Sequence, residues 1–142
     1  MSRPEEPIGL LAARTGRTLN RAFEDDLAAA GGSLPTWLVL LSVIGGRAAT
    51  QRELAEAIGI RGPTLTHHLD KLAETGLITR ERDPSNRRVH RVELTEEGVA
   101  TFHRLRKVAQ SFDSRLRAGL SDQELAELSR LLQRLAENAG GG

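Results

Sequence analysis

Apolar positions recur at intervals of three and four from Ile8 to about Ala30: Ile8, Leu11, Ala12, Thr15, Leu19, Phe23 and Leu27. This is the period of a helix with one apolar stripe, and Gly31-Gly32 predicts its end. Ser33, with Pro35 close behind, is placed to cap a second helix. That helix holds Trp37, Leu38, Val39, Leu40, Leu41, Val43 and Ile44. It is apolar nearly all round, so burial on most sides is expected, and Gly45-Gly46 closes it. Thr50-Gln51-Arg52-Glu53 has the Thr and Glu spacing of a capping box. It predicts a short helix with Leu54, Ala55 and Ile58, stopped at Gly59. After Gly59-Ile60-Arg61-Gly62, Pro63 opens another helix that runs to about Thr75 and ends at Gly76. Two short helices joined by a glycine-bearing turn make a helix-turn-helix.

The period then changes. Leu77 to Arg82 and Arg87 to Leu94 are extended runs on either side of the breakers Asp83-Pro84-Ser85-Asn86. In the second run His90, Val92 and Leu94 alternate with Val89, Arg91 and Glu93, which predicts a β-hairpin. A hairpin directly after a helix-turn-helix is a wing. Thr95 predicts the start of a long helix to about Gly119, striped by Val99, Phe102, Leu105, Ala109, Phe112 and Leu116. Glu96 and Glu97 suit its first turn. A second capping box, Ser121-Asp122-Gln123-Glu124, opens a last helix with Leu125, Leu128, Leu132 and Leu135 on one face. The expected fold class is mainly α, with six helices and a small β-hairpin wing. The 142 residues are read as a single domain. Its winged helix-turn-helix occupies 34–95, and apolar-faced helices flank it at 8–30 and 96–137.

Composition narrows the chemistry. Aromatic residues make up only 3% of the chain, which favours helices over a β-sandwich. Cysteine is absent, which excludes disulfides, thiolate metal sites and thiol redox sensing. No apolar run approaches the ~20 residues of a membrane span, and the polar, Pro-bearing start does not read as a signal peptide. A cytoplasmic protein is expected, without membrane association. Net charge is only +1, but it is unevenly placed. From Arg47 to Arg91 there are nine Lys/Arg against six Asp/Glu, whereas the remainder has eleven against thirteen. His67, His68 and His90 also lie in that middle stretch, a modest footprint for a polyanion.

On a wheel of ~100° per residue, Leu65, Leu69 and Leu72 form a narrow apolar face of the helix from Pro63 to Thr75. Opposite lie Pro63, Thr64, His67, Asp70, Lys71 and Glu74, with Thr66 and His68 on the borders. The outer face presents a hydroxyl, an imidazole and an ammonium near the end at which a recognition helix meets base edges. Thr64 can bond a base or touch a thymine methyl, His67 can donate to guanine or phosphate, and Lys71 suits a phosphate. Arg87-Arg88, beside the hairpin turn, suit a narrow minor groove, with Asp83 available to pair with one of them. Thr50, Gln51 and Arg52 sit at a helix N-terminus, where free N–H groups can hold a phosphate. With Arg61 and Thr66, these are the candidate contacts to double-stranded DNA.

The order and spacing of several stretches resemble the MarR (multiple antibiotic resistance regulator) family of transcription factors. They are Leu34 to Leu40, Gln51 to Ile60, Thr64 to Leu72, Gly76-Leu77-Ile78, Arg82 to Arg88 and Val92 to Gly98. The resemblance covers about Ile8 to Leu135 and implies a homodimer built from the first helix and the last two. It implies a near-palindromic operator, most often repression, and in many members release from DNA by a small phenolic or lipophilic effector. Such an effector enters between the dimerisation helices and the winged region, where Arg14, Arg17, Trp37 and His68 are the candidate lining. Three positions depart from the family pattern. His67 stands where many relatives have Arg, Arg61 where a capping Ser or Thr is common, and Asn86 where Asp is usual.

Other chemistry finds little support. His67 and His68 are adjacent and diverge by ~100° on a helix, unlike an i,i+4 chelating pair. No nucleophile elbow and no Gly-rich phosphate loop is present, so no enzyme activity, metal or cofactor is expected. The alternative reading is a winged-helix module that contacts protein instead of DNA. Arg87, Arg88, Lys71 and His67 favour DNA.

Overall fold

The computed structural model describes residues 6–45 and 50–141, with backbone alone at position 83 and over 86–90. The element order is α1 (Ile8–Ala29), α2 (Leu34–Ile44), α3 (Gln51–Ile58), α4 (Gly62–Glu74), β1 (Ile78–Asp83), β2 (Asn86–Leu94), α5 (Glu96–Arg117) and α6 (Asp122–Asn138). The chain divides into two compact units, one up to Ala109 and the other from Gln110 onward.

The local signals in the sequence do what their chemistry requires. Ser33 caps α2 by accepting from the Thr36 N–H at 3.2 Å. Around Thr50 the Glu53 N–H donates to Thr50 Oγ1 at 3.2 Å, and the Thr50 N–H donates to Glu53 Oε1 at 3.1 Å. Gly59 ends α3 at φ +78°, a left-handed conformation that glycine adopts without the Cβ penalty, and so redirects the chain into α4. Thr95 starts α5 by accepting from the Gly98 N–H at 3.0 Å.

The core of the first unit joins all of its elements. Leu27 of α1, Val39 and Leu40 of α2, Leu54 of α3, Leu65 and Leu69 of α4 and Leu105 of α5 are fully buried. Each such leucine contributes ~1.5–3 kcal/mol relative to leaving it exposed. Ile78 of β1 and Val92 of β2 plug the hairpin into this core. The end of α1 is closed by a long-range contact, Arg104 Nε donating to the Ala30 carbonyl at 3.1 Å. α2 is less enclosed than its composition suggests. Trp37, Val39 and Leu40 are buried, but Leu41 and Ile44 remain 41% and 40% exposed. An apolar surface all round a helix permits burial but does not supply enough neighbours for every side.

The hairpin is antiparallel, pairing Ile78 with Leu94 and Arg80 with Val92. Its turn is tighter than the breaker cluster suggested. Asp83 and Asn86 face one another as the last pair, with a register shift at Arg82/Asp83, so Pro84-Ser85 alone make the turn. Thr50 adds an isolated antiparallel bridge to Arg91 of β2, which ties the start of α3 to the wing.

The second unit holds the end of α5, then α6. Ser121 and Glu124 form a second capping box. Hydrogen bonds from the Ser121 backbone N–H and then its side chain hold the Glu124 carboxyl below its ordinary range. No α6 residue is buried, and Leu128, Leu131 and Leu132 are 45–51% exposed. Among the described residues, no single helix is long and apolar enough to cross a membrane.

Candidate nucleic-acid interface

The outer face of α4 is built by its inner one. Leu65, Leu69 and Leu72 are buried, which turns Pro63, Thr64, His67, Asp70, Lys71 and Glu74 to solvent and leaves Thr66 and His68 half-buried. The wheel drawn from the sequence describes this helix residue by residue. The His67 and His68 rings lie 6.1 Å apart and tilted by 55°, so they diverge as two adjacent helical residues must. Arg61, at the N-cap of α4, is exposed and makes no side-chain cap. Pro63 in the first turn takes over part of that role by fixing φ.

Two polar ties hold α4 in place. Asp70, on the outer face, accepts a hydrogen bond from the guanidinium of Arg80 in β1. The charge of Asp70 is thereby offset between His67 and Lys71, where it would otherwise repel a polyanion. At the other end Gln51 Nε2 donates to Thr66 Oγ1 at 2.7 Å, and Thr66 Oγ1 donates to the Gly62 carbonyl at 2.9 Å. Neither tie was foreseen from the sequence. The opposite charges of Asp70 and Arg80 lie ten positions apart across a helix end and a strand start, and no local pattern selects that pair.

At the start of α3, both the hydroxyl and the N–H of Thr50 bond to Glu53. The N–H groups of Gln51 and Arg52 therefore remain as the outward donors of that turn. Arg52 lies 3.7 Å from Glu56 with 90% of its side chain exposed, a pairing worth little in water. On the wing, Arg87 and Arg88 belong to β2 next to the Pro84-Ser85 turn. Their side chains, and that of Asp83, lie outside the described residues.

The effector candidates occupy different surroundings. Trp37 is only 8% exposed and stacks on Phe102, with centroids 5.5 Å apart and planes 10° from parallel. Arg14 pairs with Glu6 at 2.6 Å, Arg17 is exposed on α1 and His68 is half-buried on α4. No hydrogen bond or ion pair joins these four side chains among the described residues. Among those residues, too, no group of three or more His, Asp or Glu is arranged to hold a metal ion.

The MarR family profile matches residues 33–90, which run from the cap of α2 through the turn of the wing. The transcriptional regulator PA3341 is 31% identical, with 96% of this chain and 100% of that one covered and a TM-score of 0.82. The repressor CouR, solved on a 23-mer DNA duplex, is 29% identical, with 96% and 98% covered and a TM-score of 0.84. CouR from Rhodococcus jostii RHA1 has also been solved with p-coumaroyl-CoA, matching at 26% identity, 96% of each chain and a TM-score of 0.79. A mutant of MarR from E. coli, complexed with operator DNA, is 25% identical, with 91% and 93% covered and a TM-score of 0.82. This chain belongs to the MarR family of winged helix-turn-helix DNA-binding transcription regulators.

Proposed function

We propose that this chain is a homodimeric repressor that reads a near-palindromic duplex operator, with no cofactor and no catalytic activity, in the cytoplasm. The observation that carries the reading is the outer face of α4. Thr64, His67 and Lys71 are exposed opposite a buried leucine row, and the intervening Asp70 is matched by Arg80. In this reading α4 enters the major groove, with Thr64 and His67 toward base edges and Lys71 toward phosphate. Arg52, Arg61 and the first turns of α3 and α4, including Thr50 and Pro63, flank the backbone, while Arg87 and Arg88 follow the minor groove. Residues 8–30 and 96–137 supply the dimer interface, and the leucines exposed on α6 are the apolar surface it would cover. CouR, solved on a 23-mer DNA duplex, and a mutant MarR, solved with operator DNA, share the fold over nearly their whole length, which supports the same partner here.

An effector completes the reading. CouR binds p-coumaroyl-CoA, and an aromatic or lipophilic acid is proposed for this chain, with Arg14 or Arg17 toward a carboxylate and Trp37 and His68 as walls. It acts by differential affinity for the free and DNA-bound forms. The test of DNA binding is a selection from a randomised duplex library, followed by titration of the selected duplex at two salt concentrations. Tight, salt-dependent binding that exceeds binding to a scrambled duplex supports the reading. Failure to retain any duplex at low salt refutes it and leaves the protein-interaction alternative.

A further inference from the structure

Gln51 and Thr66 are polar, lie at the two helix starts of the helix-turn-helix and look like DNA contacts in the sequence. Their geometry points elsewhere. A threonine hydroxyl has one proton and two lone pairs. The Thr66 proton is engaged by the Gly62 carbonyl at 2.9 Å, and one lone pair by Gln51 Nε2 at 2.7 Å. A phosphate oxygen, or the N7 and O6 of guanine, can only accept, so Thr66 as placed has no donor to offer them. The chain Gln51 amide, Thr66 hydroxyl, Gly62 carbonyl links the first turn of α3 to the first turn of α4. Both side chains are half-buried, where a hydrogen bond is stronger than in water. Arg61 contributes no side-chain cap to α4, and Pro63 has no N–H.

We propose that Gln51 and Thr66 are positioning residues for base reading. Through this chain they hold the N-terminal turn of α4 so that Thr64 and His67 meet base edges in register. The inference rests on the DNA-binding reading above. Recognition constellations tolerate displacements of only about 0.5 Å, so slack in this turn would be felt in sequence discrimination before stability. Non-specific attraction to phosphate, which depends on Lys and Arg and not on helix depth, would be retained.

The probes are a duplex selected by the wild-type protein from a randomised library and a scrambled duplex of the same length. Gln51→Met keeps the length of the side chain and removes its donor; Thr66→Val keeps the shape and removes the hydroxyl. Each is expected to weaken the selected duplex about five- to tenfold, the worth of one net hydrogen bond, with the scrambled duplex changed less than about twofold. The double variant is expected to lose no more than either single one, because both break the same chain. Thr66→Ser, which retains a hydroxyl, is expected to bind like wild type, and this rescue separates a lost bond from a disturbed fold. Losses that multiply in the double variant would overturn the proposal, since each side chain would then touch DNA independently. So would an unchanged Gln51→Met, an equal loss on both duplexes, or a Thr66→Ser variant as weak as Thr66→Val. If the wild-type protein selects no duplex, the DNA-binding reading falls first and takes this inference with it, before any substitution is made.

Discussion

Gly98→Ala is a small change whose effect should have opposite signs in the isolated helix and in the protein. Gly98 is the third residue of α5, and a Cβ built there would lie 2.0 Å from the Leu77 carbonyl oxygen and 3.1 Å from its carbon. Relief requires a shift of roughly 1 Å or more to reach ordinary contact distance, and the obstructing atom is backbone, which cannot rotate aside. The same carbonyl accepts the Thr95 N–H at 3.1 Å, while the Thr95 hydroxyl donates to the Gly76 carbonyl. Moving the start of α5 away from Leu77 therefore disturbs both bonds, at about 1 kcal/mol each. Overpacking adds about 1–3 kcal/mol, and the better helix propensity of alanine returns at most about 1 kcal/mol. The net destabilisation is about 2–4 kcal/mol, which lowers the Tm of a chain this size by about 5–15 °C.

The assay is thermal and urea denaturation at one fixed protein concentration, because dimerisation makes stability concentration-dependent. A peptide spanning residues 94–118, with and without the substitution, isolates propensity from packing. More helix in the peptide together with a less stable protein is the expected pair of results. A Gly98→Ala protein as stable as wild type would show that α5 does not dock on the Gly76-Leu77 backbone as described.

Four further outcomes are expected. Arg87→Ala or Arg88→Ala should weaken binding to the selected duplex and lower the log–log salt slope by ~1 if one phosphate contact is lost, with Tm unchanged; a slope and affinity equal to wild type would remove the wing from the interface. Leu128→Lys with Leu132→Glu should convert a species of about twice the 15.5 kDa chain mass into one of chain mass by light scattering; a dimer unaffected by both would place the interface elsewhere. Because hydrogen bonding lowers Glu124 in the folded protein, the contribution of its capping box is present above the ordinary carboxylate range. It is lost as pH falls through the lowered value, so the acid-induced loss of helix should shrink in Glu124→Gln by circular dichroism between about pH 6 and about pH 3. Aromatic acids at millimolar concentration should displace the protein from the selected duplex and act more weakly on Arg17→Ala; no release by any of them would exclude that effector class.

What was legible in the sequence was local. The capping boxes at Thr50 and Ser121 could be placed because both partners of each lie within one helical turn. The inner and outer faces of α4 followed from a period of 3.6 residues and three leucines. The hairpin was located, but its closing pair was not, because Asp83 and Asn86 are breakers by propensity and only the ladder decides that they face each other. The bridge from Thr50 to Arg91, the Arg104 bond to the Ala30 carbonyl and the stack of Trp37 on Phe102 all span long stretches of chain. No periodicity connects such positions; packing does. This limit bears directly on the interface. Helical spacing says which polar side chains face outward, but their availability to DNA depends on partners elsewhere in the fold. Asp70 faces outward and is engaged by Arg80, and Thr66 stands on the border with its only proton directed at Gly62. Subtracting both, and with them Pro63, which has no side-chain donor, the half-buried His68 and the acidic Glu74 at the far end, leaves Thr64, His67 and Lys71 as the reading edge of α4 in the proposed mode of binding, a set narrower than the amphipathic pattern alone allows. In that proposed mode its character is set by the imidazole of His67, which bonds through single ring nitrogens and lacks the two-pronged donor of arginine, so discrimination at that step of the groove would rely on depth and angle of approach.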